Sequence, residues 1–249
     1  MKQTLDWQIA SIRDIRTETV NVKSFTLTLP AWMRHRAGQH YDIRLTADDG
    51  YQTQRSYSIA SEPERAGEVD ITVERITDGE VSTYLHDVLI PGDRIEVRGP
   101  IGGYFVWEAL MTEPLLLIAG GSGVVPLMSM IRHRAAAGAK NPTSLLYSSR
   151  NFEDIIYYNE LEKLRAANNG SSGLQIFHTL TRSQPAEWTG YARRIDQDML
   201  REVVQPLGKN FKVYICGPTL LVESAANTLV KIGVPSSQIK TERFGPTGG

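Results

Sequence analysis

Residues 114–119 read Pro-Leu-Leu-Leu-Ile-Ala, and the next four are Gly120, Gly121, Ser122 and Gly123. An apolar run with no polar alternation suits a strand buried on both faces, as in a parallel sheet covered by helices. The glycines then free the chain to turn, and a helix is predicted through Pro126 to residue 137, since proline suits a first helical turn. Parallel strands cannot be joined by tight hairpins, so such a unit demands further strand–helix crossovers beside it. The sequence supplies them: strands are predicted over 144–148, 174–180 and 212–216, with helices over 158–167 and 219–233. This alternation implies a parallel sheet with helices on both sides.

Before residue 106 the rhythm is different. Phe25, Leu27 and Leu29 alternate with polar residues, and 41–45, 69–73 and 94–97 alternate in the same way. Turn residues separate these runs at 47–50, 78–79 and 91–93. Many short strands with regular turns predict an antiparallel barrel or sandwich. A short helix is expected over 82–89, with Ser82 as its cap.

Charge and cysteine content narrow the chemistry. The 27 Lys and Arg against 28 Asp and Glu give a formal net charge of −1, which points to neither nucleic acid nor an acidic membrane surface. A lone cysteine, Cys216, rules out an internal disulfide, a four-thiolate iron–sulfur cluster and a cysteine-rich zinc site. The five histidines are scattered, so no metal site is expected and redox chemistry would fall to an organic cofactor. The most apolar stretch, 115–131, is broken by glycines and Pro126, so no membrane insertion is expected, and the N-terminus lacks the apolar run of a secretory leader. A cytoplasmic location is the resulting expectation.

Three segments carry chemistry. The turn Gly121-Ser122-Gly123 lets backbone approach a phosphate while the helix start offers unpaired N–H groups, although any tight corner also favours glycine. Pro126 stands where the usual dinucleotide fingerprint has its last glycine, which sets the chain apart from ordinary dehydrogenases. Arg55, Ser56, Tyr57 and Ser58 alternate along a strand. They read either as a pyrophosphate clamp, ring cover and hydrogen-bond donor, or as an amphipathic edge strand with a surface arginine. Cys216, ahead of Gly217 and Pro218, reads as a small packed side chain or as a nucleophile at a helix start.

In this order and spacing the segments resemble the ferredoxin–NADP reductase family of FAD-binding oxidoreductases, over about residues 7–244. Gly38-Gln39-His40, Gly79-Glu80-Val81-Ser82 and Gly99-Pro100-Ile101-Gly102-Gly103-Tyr104-Phe105 extend the match. The resemblance implies an all-β antiparallel Greek-key barrel that binds FAD over 1–108, followed by an α/β Rossmann-like parallel-sheet domain that binds NAD(P) over 109–249. It implies that Arg55-Ser56-Tyr57-Ser58 meets the flavin cofactor: Arg55 on the pyrophosphate, Tyr57 stacked on the isoalloxazine, and Ser58 near the ring nitrogen that receives hydride. Val73, Glu74 and Arg75 would line the flavin through their backbone, and Gly79, Val81 and Ser82 would hold its phosphates. Gly121, Ser122 and Gly123 would cradle the nicotinamide dinucleotide, with Cys216 beside the nicotinamide and Gly217 and Pro218 shaping the slot. Glu242 would orient the nicotinamide or relay a proton. Phe244 would cover the flavin's second face, lie against another part of FAD, or simply pack; Gly245-Pro246-Thr247-Gly248-Gly249 continue past it, unlike the plant-type ending.

Charge also bears on the coenzyme. Arg150 and Arg182 stand at the ends of two predicted strands, with Arg193 and Arg194 nearby, and no carboxylate takes the place that would greet a ribose hydroxyl. This favours NADPH over NADH, unless such arginines pair with acids such as Asp154. The expected reaction passes hydride from NADPH or NADH to FAD where the two rings meet between the domains, then single electrons to a separate acceptor protein, ferredoxin or similar. A separate acceptor is expected because the single cysteine excludes an attached iron–sulfur domain. The alternatives are an NAD(P)H:flavin reductase and a redox-inactive binding module. Arg34-His35-Arg36 and Arg132-His133-Arg134 could greet an acidic ferredoxin but read first as solvated charge, and Trp7, Trp32, Trp107 and Trp188 read as packing anchors.

Overall fold

The computed structural model describes residues 5–167 and 173–244. The chain forms two compact units: one runs to Glu108 and takes in Met128–Ala137, and the other comprises Ala109–Leu127 and the chain from Gly138 onward.

Six strands build the first unit: β1 (Gln8–Thr19), β2 (Val22–Thr28), β3 (His40–Thr46), β4 (Gln52–Ser58), β5 (Glu68–Glu74) and β6 (Arg94–Ile101), with helix α1 (Glu80–Asp87) between the last two strands. Their order across the antiparallel sheet is β4-β3-β6-β1-β2-β5. Ile59, one residue past β4, bridges to Ile71 of β5, and the Ala60 N–H donates to the Asp70 carbonyl at 2.7 Å. The two outermost strands therefore meet, and the sheet closes into a barrel, leaving few edges to pair elsewhere. Period two supplies the core. Phe25 and Leu27, Tyr41 and Ile43, Val69, Ile71 and Val73, and Ile95 and Val97 all pack into one buried cluster.

Asp70 lies on the opposite parity yet is buried. It accepts hydrogen bonds from Thr26 Oγ1 at 2.7 Å, Arg16 Nη2 at 2.9 Å and Arg65 Nη1 at 2.9 Å. Burial alone would raise its pKa, but the Thr26 hydroxyl and the two guanidinium groups more than reverse that and hold the carboxyl below its ordinary value. Its contribution to stability is thus complete above the unfolded value of ~3.9 and is lost as pH falls through the lower folded value. Asp70→Asn is expected to cost about 3 kcal/mol at neutral pH, because two arginines lose their shared anion. It should also weaken the acid limb of a pH series of urea midpoints.

Parallel strands make the second unit: β7 (Leu115–Gly120), β8 (Thr143–Ser149), β9 (Leu174–Leu180), β10 (Lys212–Pro218) and β11 (Ile239–Phe244), in the order β11-β10-β7-β8-β9. Helices α2 (Val124–Ala136), α3 (Tyr158–Ala167), α4 (Gln197–Val204) and α5 (Thr219–Lys231) connect them. From β7 the chain builds outward through β8 to β9, then returns to the other side of β7 for β10 and β11. Such a reversal is where open parallel sheets bind ligands, at the carboxyl ends of the strands.

Several elements depart from the sequence expectation, among them β1, whose run from Gln8 to Thr19 is not among the predicted strands. Helix α1 begins at Glu80 after Gly79, and Ser82 is not its cap. The Ser82 hydroxyl turns back instead, accepting from the Ile76 N–H at 3.1 Å and donating to the Gly79 carbonyl at 3.1 Å. Helix α4 was not anticipated; Asp196 caps it by accepting from the Met199 N–H at 2.9 Å, and it buries Met199, Leu200 and Val203. Strand β11 was hidden by Lys240, Glu242 and Arg243, charges that suit an edge strand but obscure its pattern.

Candidate functional site

In the first unit, β4 presents Arg55 outward and keeps Tyr57 and Ser58 half-buried. Arg55 makes one hydrogen bond, from Nη1 to the Gln54 carbonyl, and has no carboxylate partner among the described residues. Its neighbours differ: Arg44 is held by Glu96, Arg98 by Asp42, Arg65 by Glu68 and Asp70, and Arg75 by Asp87. Tyr57 packs against the barrel core, and burial pushes its hydroxyl up to about 12, so it stays protonated. Ser58 stands opposite His40 of β3. The Ser56 hydroxyl is already committed, donating to Asp42 Oδ1 at 2.6 Å.

Beyond β5, the Arg75 N–H donates to the Asn21 carbonyl at 2.8 Å, and the Val73 carbonyl bonds to the His86 ring. These two backbone groups therefore have partners within the protein. No side chain caps α1, so its first N–H groups stay open to an anion. Gly79 is needed here because a Cβ would lie 2.5 Å from the Ser82 hydroxyl that closes the loop. An arginine with no carboxylate partner among the described residues and a helix start without a side-chain cap suit a pyrophosphate, a group that FAD carries.

In the second unit the predicted residues converge on three adjacent strand ends. Cys216 pairs with Ala119 of β7 on one side and with Glu242 of β11 on the other, while Pro218 pairs with Phe244. Gly121 adopts a φ of +53° with open space where a Cβ would stand, so it is glycine for its backbone direction. Gly123 is glycine for contact, since a Cβ would lie 2.1 Å from the Cys216 carbonyl oxygen. Burial, then the nearby Glu242 charge, raises the pKa of the Cys216 thiol far above its ordinary value. Buried and held as a thiol, Cys216 suits the packed-side-chain reading better than that of a nucleophile, which requires a thiolate.

Burial also pushes the Glu242 carboxyl up to about 7. Because this folded value lies above the unfolded one, the fold takes up a proton at Glu242. Its contribution to stability is full below the ordinary carboxylate range of ~4.3 and is lost as pH rises toward about 7. Glu242→Gln is expected to flatten the pH dependence of the urea midpoint across that window.

At the far side of the sheet, the ends of β8 and β9 continue together, with the Arg182 N–H donating to the Arg150 carbonyl at 2.9 Å. Asp154 does not pair with Arg150; it accepts from Asn151 Nδ2 at 2.8 Å. Arg150, Arg182 and Arg194 have no carboxylate partner among the described residues, whereas Arg193 is held by Asp196 at 2.5 Å. Two hydroxyls that the sequence did not reveal also stand at strand ends, Ser149 beside Arg150 and Thr219 beside Pro218. Ser149 Oγ, at the end of β8, and Thr219 Oγ1, at the start of α5, are buried without a partner. A strand-end serine and a helix-start threonine are too common to single out; only the burial of an unsatisfied hydroxyl marks them. Orphaned hydroxyls, and arginines without a carboxylate partner among the described residues, at the carboxyl ends of parallel strands fit a dinucleotide.

Not every surface expectation survives. The two basic clusters are solvated only in part: Arg34 and Arg36 are exposed, whereas His35, His133 and Arg134 are buried. Arg34 is paired with Glu64 at 2.9 Å and Arg36 with Glu108 at 2.5 Å. The tail 245–249 lies outside the described residues. Among the described residues, none gather as a metal-binding group, and no helix is long and apolar enough to cross a membrane.

Comparison with known proteins fits this division. Residues 10–106 match the oxidoreductase FAD-binding domain family, and residues 117–227 match the oxidoreductase NAD-binding domain family. Ferredoxin–NADP reductase B of Sorangium cellulosum is 34% identical over 239 residues, which cover 94% of this chain and 91% of that protein. The chain belongs to the ferredoxin–NADP reductase family. Within it, the glycine betaine monooxygenase reductase subunit of Pseudomonas aeruginosa is 32% identical over 235 residues, covering 92% of this chain and 62% of the relative. The chain thus spans 62% of the length of that curated relative. Among solved structures, the FAD/NAD-binding domain of nitric oxide dioxygenase from Vibrio cholerae has the same fold, with a TM-score of 0.85 at 24% identity, covering 96% of this chain and 99% of that one. A ferredoxin–NADP reductase from Neisseria gonorrhoeae gives 0.80 at 21%, covering 95% and 98%. Family membership makes the barrel the FAD-binding part and the parallel sheet the NAD(P)-binding part.

Proposed function

We propose that the chain is an FAD-dependent oxidoreductase that takes hydride from NADPH in preference to NADH and delivers electrons singly to a separate, ferredoxin-like acceptor protein. The supporting observation is that Arg55 in one unit, and Arg150 and Arg182 in the other, have no carboxylate partner among the described residues, and that no side chain caps the start of α1. FAD, when bound, supplies the chemistry of accepting a hydride and returning its electrons one at a time.

The chain's own residues bind and orient. Arg55, with Gly79, Val81 and Ser82 at the start of α1, holds the FAD diphosphate; Tyr57 offers its ring to the flavin, and Ser58 its hydroxyl. The backbone of Val73, Glu74 and Arg75 borders the flavin through those groups not already bonded within the protein. Gly121, Ser122 and Gly123 take the coenzyme diphosphate, and Arg150 and Arg182 take the ribose phosphate. Cys216, Gly217 and Pro218 shape the nicotinamide slot, and Glu242 holds or releases a proton beside it. Phe244 is assigned to FAD. These roles place the FAD domain at 1–108 and the NAD(P) domain at 109–249. The relatives named as reductase subunits and components of monooxygenases support a separate acceptor, and the free Cys216 thiol suits the cytoplasm.

Steady-state reduction of a one-electron acceptor with each coenzyme tests the proposal. Each of Arg150→Ala and Arg182→Ala is expected to raise KM for NADPH roughly tenfold to a hundredfold, the worth of one charge-assisted hydrogen bond, while moving NADH little. A wild-type protein faster with NADH at low coenzyme would overturn the NADPH assignment. Loss of FAD on dialysis would point instead to free flavin as a substrate.

A further inference from the structure

We infer that Ser129, together with His35 and Arg132, positions the strand end that carries Tyr57 and Ser58, and so sets the flavin contact without touching the flavin. The inference rests on the proposed assignment of Tyr57 and Ser58 to FAD.

The starting point is that β4 is an outermost strand. On one side β3 fixes it, with Tyr41 opposite Tyr57 and His40 opposite Ser58. On the other side its support begins with the bridge from Ile59 to Ile71. Just past that bridge the chain enters a polar knot. The Ala60 carbonyl accepts from Arg132 Nη1 at 2.7 Å. The Ser61 carbonyl accepts two donors from different elements, Ser129 Oγ at 2.7 Å and His35 Nε2 at 3.0 Å. The Ser61 hydroxyl accepts from the Asp70 N–H at 3.0 Å. Ser61 and Ser129 are fully buried, and His35 is 1% exposed.

This is an unusual way to end a strand if stability alone were served. Side-chain donors converging on one buried carbonyl add little net stability over an apolar contact of the same shape. They do fix direction, because a hydrogen bond weakens steeply when its angle opens, whereas apolar contact is non-directional. His35 is well suited to holding a carbonyl in place. Its Nε2 faces that oxygen and so carries the proton, and burial pushes its pKa down to about 4, which keeps it a neutral donor. Ser58 stands only three residues before Ser61, no more than about 10 Å along the chain. Because β5 meets this chain only from Ile59 onward, beyond Tyr57 and Ser58, a shift at Ser61 would pass along the backbone to Ser58 and Tyr57.

The test is Ser129→Ala in the full chain, with wild type as control. It reads the FAD dissociation constant, the visible circular dichroism of the bound flavin, and the rate of flavin reduction by saturating NADPH. The variant is expected to bind FAD stoichiometrically, with altered visible dichroism and reduction slowed about tenfold or more, as a misplacement of under an ångström would cause. Ser129→Thr, which keeps the hydroxyl, should restore both readouts. Ser129→Cys, near-isosteric but a weak donor, should fall between, and it decides by the same readouts if the alanine variant does not fold. A lowered thermal midpoint with dichroism unchanged and reduction within about twofold of wild type would reduce the knot to a structural role. Failure of wild type itself to hold FAD or be reduced would instead remove the assignment of Tyr57 and Ser58.

Discussion

Alanine at position 123 is expected to abolish reduction by NADPH and to lower stability by about 3 kcal/mol. The added Cβ would stand 2.1 Å from the Cys216 carbonyl oxygen, 2.4 Å from its carbonyl carbon and 2.7 Å from the Gly217 nitrogen. All three are backbone atoms at the end of β10, so none can swing aside as a flexible side chain would. The ends of β7 and β10 would have to separate, and with them Gly121, Cys216 and Glu242. Gly121→Ala provides the contrast. Nothing lies within 4 Å of its Cβ, and the cost is limited to the φ of +53°, roughly 1–2 kcal/mol. Urea unfolding and coenzyme titration on both variants check the difference; equal stabilities would show that the strand ends yield more readily than their packing indicates.

Arg55→Ala is expected to weaken FAD binding about a hundredfold or more, the equivalent of ~3 kcal/mol for a lost charge-assisted clamp. The fold should be indifferent, because the exposed guanidinium bonds only to its neighbour's carbonyl. Lysine should not rescue it, since a point charge lacks the planar fork that grips two phosphate oxygens. Arg75→Ala removes a guanidinium from the same unit but breaks only an exposed pair with Asp87, and should change FAD affinity little. Fluorescence titration of apo-protein with FAD, beside thermal midpoints, separates the two arginines.

These effects were legible in the sequence to different depths. Most of the barrel and parallel strands announced themselves, through period-two alternation as at Phe25, Leu27 and Leu29 or through an unbroken apolar run as at 115–119, because burial on one face or two leaves a direct imprint on composition; β1 and β11, rich in charge, did not. Gly121 and Gly123 could be marked as a turn, but not told apart. One is required by its own dihedral and the other by Cys216, a residue more than ninety positions away. Pairing of charges was equally invisible. Arg34, Arg36, Arg44 and Arg75 read like Arg55 along the chain, and only the fold shows which of them are already neutralised. The histidines mislead for the same reason. His35 and His133 sit in runs of arginine that look solvated, yet both turn inward, His35 to the Ser61 carbonyl and His133 to Glu64 at 3.0 Å. Helix α4 is a different case, since its aspartate cap and apolar face are both written in the sequence and are short enough to pass for a loop.

Direct hydride delivery is tested by anaerobic rapid mixing of the FAD-loaded protein with NADPH that carries deuterium at the transferred position. The assignments made to Ser58, Gly123, Cys216 and Glu242 require loss of the oxidised-flavin absorbance, slowed by deuterium and impaired in Gly123→Ala. Flavin that stays oxidised, or bleaches at a rate insensitive to the label and to that substitution, would contradict them.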